Sequence, residues 1–287
     1  MTSVDSSELW RRVEDRIAAW RVLVACTRET ESSILAFGRR GDKPVVLKVI
    51  KNRGDEWRCG ELLEAFEGQG TVRVYEHGEG AILLERLIPG TTLASVSLNG
   101  GDDEATDILA DVIAKIASAP PVHAVPTPEE WGRGFERYAA SGDTQIEKHL
   151  VLEAHRVYSA LCGSQSRPRL LHGDLHHYNV LWDAERGWVA VDPKGVVGEI
   201  AYEVGAALRN PYEQPAMFIE PRRIEKRVDR FALKLELDPK RVLAWAFAQA
   251  VLSAVWAVED GFALERDHPP IVLARAIRPM LEGLLHS

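Results

Sequence analysis

The feature that most constrains this chain is a change of texture at Pro89-Gly90. Ahead of it the apolar residues come in short β-rich runs: RVLVAC, SSILAFG, VVLKVI, TVRVYEH and AILLERL. Branched and aromatic side chains crowd such runs because they suit a pleated, half-buried surface. The GDKP turn at Gly41–Pro44 separates two of them as a hairpin with a longer loop. Two helical stretches sit among the strands. One uses Leu9, Val13, Ile17 and Trp20, with Asp5 and Glu8 at capping-box spacing. The other runs from Asp55 to Phe66 and is closed by Gly68 and Gly70. Beyond Pro89-Gly90 the pattern is helical over Asp103–Ala119, Pro128–Ala140, Thr144–Leu161, Glu203–Leu208, Pro221–Leu237, Pro239–Val258 and Pro270–Leu285. A β island at Leu170–Val191 interrupts it.

At 287 residues the chain has room for one large domain or two. Thirty-five Lys and Arg against 43 Asp and Glu leave a net charge of −8, which argues against nucleic acid as a partner and suits a cationic ligand. Cys26, Cys59 and Cys162 are far apart and form no CxxC, so neither a disulfide framework nor a structural zinc is expected. The opening MTSVDSSELWRRVEDRI carries acids and no apolar core, unlike a secretion signal. Val242–Val258 is free of charge and reaches membrane length, yet it is Ala-rich and interrupted by Gln249 and Ser253. A buried helix is the expectation there. The chain reads as a soluble, cytoplasmic protein that does not enter a membrane.

Chemistry concentrates in two places. Lys48 lies in the apolar strand VVLKVI, where an unpaired ammonium is expensive to bury. Its head either escapes to solvent at a strand edge or meets an acid. In the helix that follows, a step of about 100° per residue puts Glu56, Cys59, Leu63 and Phe66 on one face, with Glu61 well round the other side. Glu56 is therefore the candidate partner. The second place is HGDLHHYN at 172–179, followed by Asp192-Pro193-Lys194-Gly195. Its histidines and aspartates allow a zinc or di-metal hydrolase, although there is no HExxH, and they also allow a purely structural loop. A third reading accounts for more residues. An Asp with an Asn five positions later, then an Asp at a strand end with Gly three residues on, is the order of a base and two Mg²⁺ ligands in phosphoryl transfer.

With those residues in view, the chain resembles the kinase-fold antibiotic phosphotransferases, and among them the streptomycin 6-phosphotransferase and hydroxyurea phosphotransferase family. HGDLHHYNVL with GWVAVDPKGVVGE resembles the family's catalytic segment, and DEWRCGELLEAFEGQGTVRVYE its helix-plus-strand segment. LLERLIPG resembles the hinge, and DPKRVLAWAFAQAVLSAVWAVEDG the long C-terminal helix. The resemblance implies a two-lobed α+β fold of protein-kinase type. Residues 1–88 would form a small antiparallel-sheet lobe with a hinge at 84–90, and 89–287 a mainly helical lobe. It implies ATP and Mg²⁺, with Lys48 on the α/β-phosphates, Glu56 as its partner, Asp174 as base, and Asn179 and Asp192 on the metal. Backbone groups near Glu85, Arg86 and Leu87 would meet adenine, and His172 would brace the catalytic loop.

Two departures qualify the match. TRETESS, between the first strands, has no glycine, so Ser32, Ser33 and nearby amides are the candidates to cap the phosphates. The metal Asp is followed by Pro193-Lys194 rather than Phe, which argues against a mobile switch. For the acceptor, Glu199, Glu203, Glu259 and Asp260 are the candidate carboxylates, and Trp256 reads as core. The implied reaction is phosphoryl transfer to a small, cationic, streptomycin-type acceptor. Hydroxyurea phosphorylation, nucleotide binding without turnover and metal-dependent hydrolysis are the alternatives.

Overall fold

The computed structural model describes residues 6–119 and 125–285. Asp5, expected to cap the first helix, lies outside the described residues. The chain divides into two compact units, 1–91 with 181–194, and 92–180 with 195–287.

In the first unit α1 (Ser6–Ala19) precedes β1 (Leu23–Glu29), β2 (Ser33–Arg40) and β3 (Lys43–Ile50). A 3₁₀ turn at Asp55–Arg58 leads into α2 (Cys59–Ala65), and β4 (Val74–Gly78) and β5 (Ala81–Glu85) follow. The single helix expected over Asp55–Phe66 thus begins as a tighter turn. The five strands form one antiparallel sheet in the order β1-β2-β3-β5-β4. Side-chain alternation sorts β3 between two apolar clusters. Val45, Leu47 and Val49 pack with Leu9 and Val13 of α1. Ile50 packs with Cys59 and Leu63 of α2, together with Ile82, which pairs with Lys48 across the sheet. Lys48 shares the parity of Ile50, so it leaves the sheet on the α2 face. The segment 181–194 belongs here as well. Its strands β8 (Val180–Asp183) and β9 (Gly187–Ala190) join β6 (Pro89–Thr92) in a small sheet, and Val189 enters the α2 cluster.

The second unit holds α3 (Ala94–Leu98), α4 (Asp102–Ile116), α5 (Pro128–Ser141) and α6 (Lys148–Cys162). An antiparallel ladder of β7 (Arg169–Leu171) and β10 (Val196–Gly198) follows, then α7 (Ile200–Leu208), α8 (Ala216–Ile219), α9 (Pro221–Leu235), α10 (Pro239–Glu259) and α11 (Pro269–Leu285). Local chemistry sets several of these starts. Thr127 and Glu130 form a reciprocal capping box around Pro128, and the Asp238 side chain caps α10 through the Lys240 amide. The charge-free run is the core of this unit. Helix α10 is long and apolar enough to cross a membrane, yet it is mostly buried and packs on α5, α6, α7 and α11. Trp245, Phe247, Val251 and Val255 are fully enclosed.

An ion-pair ladder ties α4 to α9. Arg227 forks onto Asp102 (Nε to Oδ2 2.9 Å) and also donates to the Asn210 carbonyl, while Ser97 Oγ donates to Asp102. Lys226–Asp103, Arg230–Asp107 and Lys234–Asp111 flank it nearer the surface. Arg227 is almost wholly buried, so the rungs differ in worth. Arg227→Met strands the Asp102 charge and should cost about 3–5 kcal/mol. Lys234→Ala should cost no more than about 1 kcal/mol. Chemical denaturation of the two variants checks the contrast, and equal losses would contradict it.

Candidate active site

The first cluster is built on Lys48. Its strand delivers the ammonium to the α2 face with its side chain only 7% exposed, and two carboxylates meet it there. Nζ donates to Glu56 Oε2 at 2.8 Å and to Asp192 Oδ1. Burial alone would lower the Lys48 pKa, but Asp192 and then Glu56 outweigh it and raise it, so the group stays charged. Glu56 is further held by Ser32 Oγ at 3.2 Å. Asp192 sits at φ 66°, a left-handed conformation that costs a non-glycine residue energy. Glu61 points away and pairs with Arg58.

The second cluster is the loop between β7 and Val180. Its backbone is clamped from α7. The Gly173 N–H donates to both oxygens of Glu203 at 3.1 Å, and the Leu175 N–H donates to Oε1 at 3.2 Å. The two residues flanking Asp174 therefore hang on one buried carboxylate. Burial pushes the Glu203 pKa up to about 7 against the lowering effect of those amides, and Asp174 adds to the rise. From the end of the same helix, Arg209 Nη2 lies 3.5 Å from Asp174 Oδ1. The Asn179 amide nitrogen donates to the Asp174 carbonyl at 3.0 Å. His172 Nδ1 accepts the Asp174 N–H at 3.3 Å, a contact that braces the loop. His177 is enclosed and neither ring nitrogen has a hydrogen-bond partner among the described residues, and burial first, then Arg227, pushes its pKa down to about 3.

Other expected site residues are placed as follows. Ser33 is buried and committed to a turn with Thr30, which accepts its amide and shares its hydroxyl. The Glu85 carboxylate is held by Arg186 and by the Arg73 amide. The amides of Glu85 and Arg86 donate to Arg73 and Pro44 carbonyls, whereas the Leu87 amide makes no hydrogen bond among the described residues. Of the four carboxylates expected at the acceptor, Glu199 is buried under Arg241 and the Trp245 indole N–H, and Glu203 serves the loop. Glu259 grips Arg137 at 2.7 and 3.0 Å, and Asp260 is exposed. Sequence reasoning missed Arg209 and the loop-holding role of Glu203. A carboxylate inside the otherwise apolar run IAYEVGAAL was the available signal for the latter.

A zinc or di-metal hydrolase needs three or four ligating side chains. Among the described residues no group of three or more His, Cys, Asp or Glu is placed to hold a metal. The Asn179 side-chain carbonyl in one unit and the Asp192 carboxylate in the other are each a hard oxygen donor of the kind that suits Mg²⁺, which binds through one or two protein oxygens plus substrate phosphates.

Comparison with known proteins agrees with this geometry. The aminoglycoside/hydroxyurea antibiotic resistance kinase family matches residues 19–261. Streptomycin 3''-kinase of Klebsiella pneumoniae is 36% identical over 81% of this chain and 86% of its own. Streptomycin 6-kinase of Streptomyces griseus is 32% identical over 82% of this chain and 78% of its own. The crystal structure of choline kinase LicA from Streptococcus pneumoniae superposes with a TM-score of 0.65 at 16% identity, covering 98% of this chain and 100% of that one, which establishes a protein-kinase-like fold. With a buried Lys–Glu pair in its sheet, a clamped HGDLHHYN loop in its helical unit and a family match across most of its length, this chain belongs to the aminoglycoside/hydroxyurea antibiotic resistance kinases.

Proposed function

We propose that this protein moves the γ-phosphate of ATP, with Mg²⁺, onto a hydroxyl of streptomycin. The observation that carries the reading is the ammonium of Lys48, held charged between Glu56 and Asp192 on an apolar sheet. A fold has little structural use for such a group, because a hydrophobic replacement of a buried ion pair is often neutral or stabilising. A phosphate-binding site needs it. Streptomycin and its 6-hydroxyl are chosen because 6-kinases stand among the relatives and because the ring bearing that hydroxyl carries the guanidinium groups an acidic protein suits. The 3''-hydroxyl is the competing position. Hydroxyurea is the second reading, favoured by the family description.

In this mechanism Lys48 binds the α/β-phosphate oxygens and Glu56 keeps it aimed. Asn179 and Asp192 would hold the metal, which would offset charge on the phosphates. The Leu87 amide and neighbouring hinge backbone take the adenine edge. Asp174 orients the acceptor hydroxyl and receives its proton as the new O–P bond forms and ADP departs. Arg209 fixes the Asp174 carboxylate from one side, and Glu203 fixes its backbone.

Asp174→Asn should retain ATP binding and lose turnover by roughly 10²–10⁴-fold. Single-turnover kinetics beside nucleotide titration checks this, and a near-wild-type rate would remove Asp174 from the chemistry. Lys48→Met and Glu56→Gln should each raise the KM for ATP, with the double variant less impaired than the summed singles, because they act as one unit. Additive losses would argue that they work independently.

Glu203 adds a pH dependence. Its carboxylate form accepts both loop amides, and its pKa of about 7 lies above the usual carboxylate value, so protonation on going below neutral pH removes acceptor capacity. Turnover should therefore fall as pH drops through about 7. Glu203→Gln, lacking an ionisable group, should lose that limb and run about 10-fold slower at pH 8, the cost of one weakened hydrogen bond. A limb near pH 7 that survives the substitution would assign it elsewhere.

A further inference from the structure

The hinge at 84–90 is held by a turn that neither the catalytic loop nor the Lys48 cluster uses. Between β8 and β9 the chain turns through Ala184, Glu185 and Arg186. Asp183 organises that turn, its Oδ1 accepting the Glu185 and Arg186 amides at 3.0 Å each, a local pattern that Asp favours. Its other oxygen reaches the hinge. Asp183 Oδ2 accepts the Ile88 N–H at 2.8 Å, and the Ala184 N–H donates to the Ile88 carbonyl, also at 2.8 Å. Both backbone polar groups of Ile88 are therefore satisfied by one turn about 95 positions along the chain. Burial works to raise the Asp183 pKa, but the three amides outweigh it and hold the group below the usual carboxylate range.

Arg186 holds the other end of the hinge. Its guanidinium donates to the Glu85 carboxylate, to the Gly68 carbonyl at 2.8 Å and to the Thr71 carbonyl at 3.1 Å. The same carboxylate accepts the Arg73 N–H at 2.9 Å. The hinge amides can then be followed one by one. Glu85 donates to the Arg73 carbonyl, Arg86 to the Pro44 carbonyl and Ile88 to Asp183. Among the described residues, the Leu87 N–H alone of these four has no acceptor. Leu87 is only 8% exposed and packs with the α2 cluster, and an unpaired amide on a buried residue is costly unless a ligand meets it. The turn thus pins the chain on both sides of one open donor.

We infer that Asp183 and Arg186 are positioning residues for the nucleotide base, fixing the hinge so that the Leu87 N–H is a single stationary donor that suits adenine and disfavours guanine. This rests on the proposed phosphotransferase reading and assigns its choice of nucleotide to a turn outside the hinge. N1 of adenine is an acceptor, whereas N1 of guanine carries a hydrogen. A fixed donor facing that position pairs with the first base and meets an N–H of the second. A site built around a hydrogen bond rejects the analogue that cannot make it, because its own buried group is left unpaired. That holds only while the donor stays in place. A loosened hinge lets the same N–H move onto O6 of guanine, which accepts. Support from behind the contact is therefore what makes one hydrogen bond selective.

The test measures, by calorimetry with Mg²⁺ and no acceptor, the Kd for ATP, GTP and base-free tripolyphosphate. It compares wild type with Asp183→Ala, Asp183→Asn and Arg186→Met. Wild type should prefer ATP to GTP. Asp183→Ala and Arg186→Met should each weaken ATP about 10-fold, the loss of one well-placed hydrogen bond, leave tripolyphosphate unchanged and narrow the preference for ATP over GTP. Asp183→Asn keeps an acceptor oxygen at the same size and should fall between Asp183→Ala and wild type. In turnover the KM for ATP should rise while kcat at saturating ATP holds. If Asp183→Ala does not fold, Asp183→Asn and Arg186→Met decide, and if tripolyphosphate binds too weakly to measure, the ATP-to-GTP ratio decides. Wild type that binds ATP and GTP equally overturns the clamp alone. So do variants that bind ATP as wild type does, lose ATP and tripolyphosphate equally, or keep the full ATP-to-GTP ratio. Wild type that binds no ATP overturns the phosphotransferase reading, and the clamp with it.

Discussion

A charged nitrogen in an apolar sheet is the constraint on which the first unit turns. Leaving water costs an ammonium several kcal/mol, so Lys48 is tolerable in VVLKVI only with counter-charges in reach. One comes from the 3₁₀ turn ahead of α2, and the other from a segment almost 150 residues further along the chain. The ion triad thereby helps fix the start of α2 and docks residues 181–194 onto a sheet built from the first ninety or so. Val189 in the α2 cluster and the Thr71–Ala190 bridge make the same connection in apolar and backbone terms.

The second unit solves a different problem, holding a short polar loop still. Backbone N–H groups in an irregular loop need acceptors, and water is one that does not hold shape. Here a fully buried carboxylate takes two of them and an arginine from the same helix takes the side chain between. The cost appears in the raised pKa of Glu203, whose charge the interior resists. Helix α7 is therefore a positioning element, and the α10 core behind it supplies rigidity: the Gln249 amide donates to the Tyr202 carbonyl at 2.6 Å and Gly205 lies against the same side chain.

What was legible in the sequence follows from range. Strand and helix texture is local, and it located the sheet, the helical half and the buried nature of the 242–258 run. The Lys48–Glu56 partnership is eight residues apart and was legible from helical periodicity, although Glu56 sits in the 3₁₀ turn ahead of α2. Tertiary partners were not legible. Glu199 looked like a free acid in a matched segment, but Arg241 and Trp245, more than forty residues on, cover it. Arg227–Asp102 spans 125 positions and leaves no periodic trace. Trp256 reads as core in a run of apolar residues, but its ring is only partly buried, packed edge to face on Trp131 of a neighbouring helix.

The central claim is that these groups together move phosphate from ATP to streptomycin. Incubating the protein with ATP, Mg²⁺ and streptomycin, then resolving the products by phosphorus NMR and mass spectrometry, tests it directly. The account predicts a streptomycin monophosphate esterified at the 6-hydroxyl, formed in step with ADP. ADP appearing with free phosphate while streptomycin stays unmodified would contradict it.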